Sequence, residues 1–208
     1  MFLMHHGVQG QKWGVRRYQN KDGTRTPEGK RHRRGEKNVF ISGSVKTTDS
    51  TSPYYRKKLP SEVRKAIDGY MSKGNKILVG EAPGVDSQVQ DYLKKHNYDK
   101  VSVYTSYDNP RYKADDKWET VNVDSKGYEA GTPEFLREKD IAMTKDADEG
   151  LSVILENGGA GATRNNIRRL IEQNKNVSVY KLNSDSKTDD WVSDILKEIG
   201  DVPIKGVK

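Results

Sequence analysis

From residue 38 onward the sequence alternates short apolar runs with stretches of helical spacing, and this alternation limits the fold more than any other feature. Five runs have the length of buried strands, at residues 39–44, 76–80, 101–104, 151–155 and 177–180. Strands that alternate with helices form right-handed βαβ units around a parallel sheet. The pattern therefore predicts an α/β fold, a Rossmann-like, doubly wound parallel sheet of about five strands.

The stretches between these runs carry apolar residues at helical spacing. Helices are predicted at residues 60–72, 86–96, 132–145, 163–173 and 191–199. Thr132 and Pro133 suit the N-cap and the first turn of the third helix. Residues 106–131 are polar and irregular, which predicts a long loop that is functional or mobile.

The positive charge is concentrated at the start of the chain. Residues 1–37 hold ten Lys or Arg against three Asp or Glu, whereas the remainder holds 27 of each kind. This composition, with almost no apolar periodicity, predicts a disordered, flexible basic arm over 1–37, beside a domain at 38–200 and a tail at 201–208. Such an arm would bind polyanions weakly and without sequence preference.

Several classes of protein are disfavoured by what the sequence lacks. It contains no cysteine, and no apolar stretch has the length of a bilayer span. The first residues lack the pattern of a secretory signal, so we expect a cytoplasmic protein without a membrane partner. His5 and His6 have no further ligands at metal-site spacing, and we predict neither a metal site nor a cofactor.

Three of the predicted strands end in small residues, at positions 43–44, 80–86 and 157–163. Small residues let backbone N–H groups approach an anion, and a following helix adds partial positive charge. Tight turns and helix caps use glycine in the same way. Three such loops at one edge of a parallel sheet nevertheless favour a ligand site there. None of the loops matches a Walker motif or a strict dinucleotide fingerprint.

The leader contains a longer motif. Residues 5–18 read HHGVQGQKWGVRRY, which resembles a phage and prophage motif of the form HxGxxGQKWGVRR. The continuation of that motif fits at Asn20, Asp22, Gly23, Thr26, Gly29 and Lys30. The resemblance implies a phage or prophage origin, and host cytoplasm as the location.

Three segments of the domain carry a second resemblance. Residues 80–86 are similar to Gly-x-Ala-x-Gly-Val-Asp, residues 139–148 to Lys-Asp-x-x-Met-x-x-x-Ala-Asp, and residues 161–167 to Gly-Thr-x-x-x-Ile. Together they resemble the SLOG superfamily, near its YspA-like and DNA-processing-A-like branches, over residues 38–182. The resemblance implies a domain that binds nucleotides, nucleotide sugars or NAD-derived molecules such as ADP-ribose-type signals. It also implies a homodimer that pairs through helices.

The departures from that family matter for function. Ala162 stands where the family has Gly, and Asn166 stands where phosphoribohydrolases carry Glu, which disfavours N-glycoside hydrolysis. The leading hypothesis is a phage protein that senses or sequesters a nucleotide-derived signal in phage–host conflict. The alternative is a nucleotide N-glycosidase resembling the phosphoribohydrolases, with Glu81 or Asp140 as candidate catalytic residues. A weaker alternative is DNA binding, suggested by the basic arm and the DNA-processing relatives.

The predicted ligand-binding residues come from the three loops and from the helix before the fourth predicted strand. They are Gly43, Ser44, Gly80, Glu81, Ala82, Gly84, Asp86, Arg137, Asp140, Gly158, Gly159, Gly161, Thr163 and Asn166.

Some of these and neighbouring residues have a structural interpretation as well. Asp86 suits a helix N-cap as well as a ribose acceptor. Arg137 and Lys139 suit a solvated helix face as well as a phosphate clamp. Tyr112 and Trp118, near Arg111 in the long loop, suit either base stacking or packing under the loop.

Overall fold

The computed structural model describes most of the chain from residue 35 to residue 182. The described residues are 20, 22, 24–27, 29–30, 35–52, 55–155 and 161–182, with the backbone of 204–207. Contacts divide the chain into two units, Met1–Lys37 and Asn38–Lys208. In the first unit the Asp22 carboxylate closes a turn, accepting hydrogen bonds from the backbone N–H and the hydroxyl of Thr24 at 2.9 and 2.6 Å. Most of the predicted disordered arm, including all of residues 1–19, lies outside the described residues.

Seven strands form a single sheet in the described part of the second unit. They are β1 Asn38–Gly43, β2 Lys76–Val79, β3 Val101–Thr105, β4 Glu119–Asn122, β5 Glu149–Leu155, β6 Asn176–Leu182 and β7 Ile204–Val207. Their order is β4-β3-β2-β1-β5-β6-β7, and every neighbouring pair is parallel. The predicted α/β fold with a parallel sheet is confirmed.

The strand number is larger than the predicted five. β4 lies within residues 106–131, which were predicted as an irregular loop, and β7 lies within the predicted tail. β4 has the sequence ETVN and is at most half-buried. An edge strand is only partly covered, so it needs few apolar residues. With one apolar residue in four, β4 lacks the apolar run that predicted the other strands.

Four α-helices connect the strands in the described residues. They are α1 Ser61–Ser72, α2 Val85–Lys95, α3 Pro133–Asp146 and α4 Gly161–Glu172, with a short 3-10 turn at Val45–Thr47. Their bounds differ from the predicted ones by one or two residues, and the predicted helix 191–199 lies outside the described residues. Thr132 caps α3 as predicted, since its hydroxyl accepts a hydrogen bond from the N–H of Phe135 at 3.3 Å. No helix of the described residues has the length and apolar character needed to cross a membrane.

Helices cover both faces of the sheet. Val39 and Ile41 pack in a cluster with residues of α1 and α2, whereas Phe40 packs in a second cluster with residues of α3 and α4. Successive strand residues point to opposite faces, so a strand covered on both sides is apolar along its whole length. The apolar runs of the sequence are therefore explained by two cores, and the doubly wound arrangement is confirmed.

The strand order reverses at one place. From β1 the chain proceeds through β2 and β3 towards one edge, while β5 and β6 extend from the other side of β1. The topological switch point thus lies between β1 and β5. In open parallel sheets the crevice beyond the carboxyl ends of the strands at this point is where ligands bind.

Candidate functional site

A cavity of about 150 Å³ lies at the switch point, and we call it the strand-tip cavity. It is bounded by β1, the residues that follow β1 and β2, α3 and the first turns of α4. Its lining residues are Phe40, Ser42, Gly43, Val45, Ala82, Asp86, Arg111, Leu136, Lys139, Asp140, Met143, Ala162, Thr163 and Asn166.

Two of the three predicted loops meet directly beside this cavity. The N–H of Val85 donates to the carbonyl of Ser44 at 3.2 Å. Gly84 has a φ of +91°, and a Cβ on it would overlap the backbone of Ser44 and Val45. A Cβ on Gly43 would lie 2.5 Å from Cγ2 of Val85. These glycines are therefore required by the packing of one loop on the other. Residues 157–160 of the third loop, which include Gly158 and Gly159, lie outside the described residues, and its residues 161–163 form the start of α4.

Lys139 of α3 brings a buried positive charge into the cavity. Its side chain is only 7% exposed, and its Nζ lies 3.2 Å from Oδ1 of Asp140. Burial lowers the pKa of Lys139, whereas the nearby carboxylates of Asp140, Asp86 and Glu81 raise it. Their effect outweighs that of burial, and the pKa of Lys139 is raised. Lys139 therefore remains a cation at neutral pH, held among carboxylates.

Asp86 places a weakly satisfied carboxyl group in the same cavity. The N-cap of α2 is Gly84, so Asp86 is not the cap but belongs to the first turn of the helix. Its Oδ2 accepts a hydrogen bond from the N–H of Ala82 at 3.4 Å, which is long. Burial raises the pKa of Asp86 to about 7, although Lys139 opposes this shift. Asp86 is thus a carboxyl group that titrates near neutral pH.

Gly80 makes room for these two side chains. A Cβ on Gly80 would overlap Oδ2 of Asp86 and lie 3.1 Å from Nζ of Lys139. Gly80 is itself buried and does not line the cavity. The sequence predicted that this glycine lets a ligand approach the backbone, but in the structure the protein's own charged groups occupy that space.

A hydrogen-bonded series links α3 to α4 at the cavity wall. The side-chain amide of Asn166 donates to Oδ2 of Asp140 at 3.3 Å and accepts from the guanidinium of Arg169 at 2.7 Å. Thr163 is buried one turn earlier on α4. The carboxylate of Asp140 therefore lies within hydrogen-bonding distance of Asn166, the residue at which the sequence departs from the phosphoribohydrolase pattern.

Glu81 is completely buried but does not line the cavity. One of its carboxylate oxygens accepts hydrogen bonds from the Thr105 hydroxyl and from the N–H of Arg111, both at 2.8 Å. The other lies 3.5 Å from Nε of Arg111. Glu81 therefore anchors the start of the long segment after β3 to the end of that strand.

Sequence reasoning missed Gln90, a fully buried residue of α2. Its side-chain amide donates to the carbonyls of Gly80 and Tyr112 at 2.8 and 3.3 Å, and its oxygen accepts from the N–H of Ala114 at 2.9 Å. The signal was its position, since Gln90 follows Asp86 by four residues and precedes Leu93 by three, on the buried face of the helix.

The aromatic residues of the long segment have structural roles. Trp118 is 4% exposed in the core, and its indole N–H donates to the carbonyl of Tyr98 at 2.9 Å. The Tyr112 hydroxyl donates to the Asp91 carboxylate. Arg111 does line the cavity, with its guanidinium carbon 5.0 Å from the centre of the Tyr107 ring. Packing therefore accounts for Trp118, and Arg111 is the residue of this segment that faces the site.

The structure brings six of the predicted ligand residues to the cavity wall, namely Gly43, Ala82, Asp86, Asp140, Thr163 and Asn166. Six other predicted residues do not line the cavity, namely Ser44, Gly80, Glu81, Gly84, Arg137 and Gly161. Arg137 is exposed on α3, which agrees with its interpretation as part of a solvated helix face. Within the described residues, no three His, Asp or Glu side chains are grouped closely enough to hold a metal ion.

The fold and the site define a Rossmann-like α/β domain with a cavity at its switch point that four charged side chains line. Residues 1–20 match the model of DUF7211, which is described as a family of unknown function. No curated protein matches the sequence.

Among solved structures, the chain is similar to Streptococcus suis SuiB bound to S-adenosylmethionine, at 8% identity and a TM-score of 0.29, covering 86% of this chain and 50% of that one. For SuiB bound to its precursor peptide SuiA the identity is 9%, the TM-score 0.29, and the coverage 86% and 51%. The chain thus spans about half the length of SuiB. A likeness this low supports no inference.

Proposed function

We propose that the domain binds a nucleotide-derived ligand in the strand-tip cavity, such as an NAD- or ADP-ribose-type molecule or a cyclic nucleotide. The observation that carries the proposal is the position of the cavity. It lies at the switch point between β1 and β5, and two oppositely charged side chains of α3, the buried Lys139 and the partly buried Asp140, line it. Parallel sheets bind nucleotides in this position.

The side chains of the cavity suit the parts of a nucleotide. Lys139 and Arg111 are cations that attract a phosphate group. Asp86 and Asp140 offer carboxylate oxygens to ribose hydroxyls, and Thr163 adds a hydroxyl. Since small-molecule pockets are typically about 300–1,000 Å³, a cavity of about 150 Å³ would hold part of a nucleotide.

The biological role that we propose is sensing or sequestering such a ligand. The leader resembles a phage motif and residues 38–182 resemble the SLOG superfamily, which together support a phage or prophage protein acting in the host cytoplasm during phage–host conflict. A homodimer that pairs through helices fits the same resemblance.

Calorimetry with NAD, ADP-ribose, AMP and a cyclic nucleotide tests this proposal, together with mass spectrometry of any co-purified small molecule. Asp140→Asn and Thr163→Val should each weaken binding about tenfold, the effect of losing one good hydrogen bond. Arg137→Gln is the matched control, because it removes a charge from α3 outside the cavity and should leave affinity unchanged. The proposal fails if none of the four compounds binds, or if the control weakens binding as much as the cavity variants.

A second candidate, an enzyme that cleaves a nucleotide N-glycosidic bond, has one observation in its favour. Asp140 supplies a carboxylate 3.3 Å from Asn166, where the phosphoribohydrolase pattern has Glu. Asp86, with a pKa raised to about 7 by burial, is suited to exchange a proton at neutral pH. Incubation with NAD, ADP-ribose and nucleoside monophosphates, followed by product analysis, separates the two candidates. Turnover that Asp140→Asn abolishes supports the enzyme, and unchanged ligand supports binding alone.

A further inference from the structure

A second cavity, of about 170 Å³, lies between the residues that precede α1 and the helices α1 and α2. We call it the basic groove. It is lined by Lys57, Lys58, Leu59, Arg64, Gln88, Asp91, Tyr92 and Lys95, none of which lines the strand-tip cavity.

Positive charge is concentrated at the groove, although residues 38–208 carry no net charge. Its lining contains four cations, Lys57, Lys58, Arg64 and Lys95, and one carboxylate. That carboxylate, Asp91, accepts a hydrogen bond from the Tyr112 hydroxyl. No ion pair within 4.0 Å joins any of the four cations to a carboxylate of the described residues.

Two polar groups at the groove lack hydrogen-bond partners in the described structure. Nε of Arg64 is buried and donates to no acceptor, and Oε1 of Gln88 is buried and accepts from no donor. The amide of Gln88 donates to the carbonyl of Arg56 at 2.6 Å, which fixes the orientation of the side chain. A buried donor without an acceptor is costly. Because Nε of Arg64 has no acceptor among the described residues, turning the guanidinium towards an anion in the groove breaks no hydrogen bond at this atom.

We propose that the basic groove binds the phosphate group of a small phosphorylated compound, at a site separate from the strand-tip cavity. A guanidinium group pairs with phosphate through two parallel hydrogen bonds, and the lysines add point charges around it. Leu59 is buried and the Tyr92 ring is half-buried, so the wall beside the charges offers apolar contact to the rest of the compound.

The test is titration of the full chain with inorganic phosphate, pyrophosphate and glucose 6-phosphate, followed by amide chemical shifts in two-dimensional NMR. The expected result is saturable shifts in α1 and α2, with affinity about tenfold lower in Arg64→Gln and in Lys95→Gln. Lys95 is exposed, so the second variant keeps the fold intact even if Arg64→Gln destabilises it. Arg137→Gln, which removes the same charge elsewhere, and Asp140→Asn in the strand-tip cavity should leave phosphate binding at the groove unchanged.

Three results would overturn the inference. The first is unchanged phosphate affinity in both groove variants, and the second is shifts confined to the strand-tip cavity. The third is binding of a short DNA duplex that Lys95→Gln weakens while none of the three phosphate compounds binds, which would make the groove a nucleic-acid surface. The first and third of these outcomes do not depend on whether the strand-tip cavity binds a nucleotide.

Discussion

Two carboxyl groups five residues apart, those of Glu81 and Asp86, are both buried, but they differ in the hydrogen bonds that they accept. Glu81 accepts two hydrogen bonds of 2.8 Å and faces Arg111, whereas Asp86 accepts a single bond of 3.4 Å from Ala82. Both hydrogen bonds to Glu81 go to Oε2, while its Oε1 accepts none from the described residues and has the guanidinium of Arg111 at 3.5 Å. Two hydrogen bonds of ordinary length nevertheless stabilise Glu81 more than one long bond stabilises Asp86, so Glu81 contributes more to the structure and Asp86 keeps more capacity to bind.

The difference separates a structural group of residues from a candidate functional one close to Gly80. Glu81 and Gln90 form the structural group, and their hydrogen bonds fix the segment after β3. Asp86 and Lys139 form the other group and line the strand-tip cavity. Four substitutions test this division, beginning with the largest expected effect.

Glu81→Ala should destabilise the protein most. It leaves the Thr105 hydroxyl and the N–H of Arg111 without their charged acceptor, and hydrogen bonds to charged groups contribute about 1.5–3 kcal/mol each. We expect the free energy of unfolding to fall by roughly 4 kcal/mol, measured by urea denaturation at pH 7. Glu134→Ala on the exposed first turn of α3 is the control, and an equal loss there would remove the special role of Glu81.

Gln90→Leu should have the next largest effect. It leaves the carbonyl of Gly80 and the N–H of Ala114 without side-chain partners, at a cost of roughly 3 kcal/mol. Amide hydrogen exchange should accelerate first in residues 110–118, because Gln90 connects that segment to α2. Uniform acceleration over the whole domain would show that Gln90 does not act on this segment in particular.

Asp86→Asn should act in the opposite direction. Because burial raises the pKa of Asp86 to about 7, from an ordinary value of 3.8, the folded protein holds a proton that the unfolded chain has already lost between those pH values. The native state then binds more protons, so stability falls as pH rises through this window. An uncharged amide avoids this loss, and we expect the variant to be more stable by roughly 2 kcal/mol at pH 8.

Paired thermal melts of the wild type and Asp86→Asn at pH 4 and pH 8 measure this effect. The difference between the two proteins should be much smaller at pH 4, because there the folded carboxyl group is protonated and the unfolded one, close to its ordinary pKa of 3.8, is partly protonated. A difference that does not change with pH would contradict the assignment.

Arg137→Gln should have the smallest effect, although this residue is two positions from Lys139. Arg137 is exposed, and surface substitutions of this kind usually change stability by less than about 0.5 kcal/mol. A loss of affinity for NAD or ADP-ribose in this variant would place the ligand outside the strand-tip cavity.

The backbone architecture could be read from the sequence because its signals are local. The run 39–44 begins with three consecutive apolar residues, and residues 39–42 are all buried, since both faces of β1 are covered. Thr132 and Pro133 marked the start of α3 within one residue. β4 was missed because an edge strand needs little apolar surface, and its sequence ETVN resembles a loop.

The site was less predictable because it depends on which side chains meet across the fold. Gly80 was predicted to face a ligand, but its free space is filled by Asp86 and Lys139, which come from different helices. Gln90 was overlooked because a glutamine on a helix is usually exposed. Glu81 was placed in the site on its position in the loop, and only the contacts with Thr105 and Arg111 show where its side chain is engaged.

The open edge of the sheet at β4 also affects how the protein behaves at high concentration. β4 is four residues long, and Glu119 is held there by Lys76 and by the Ser102 hydroxyl, both at 2.5 Å. A short edge strand with a fixed charge is a poor template for a strand from another molecule. We therefore expect this edge to resist the intermolecular strand pairing that starts fibrous aggregation.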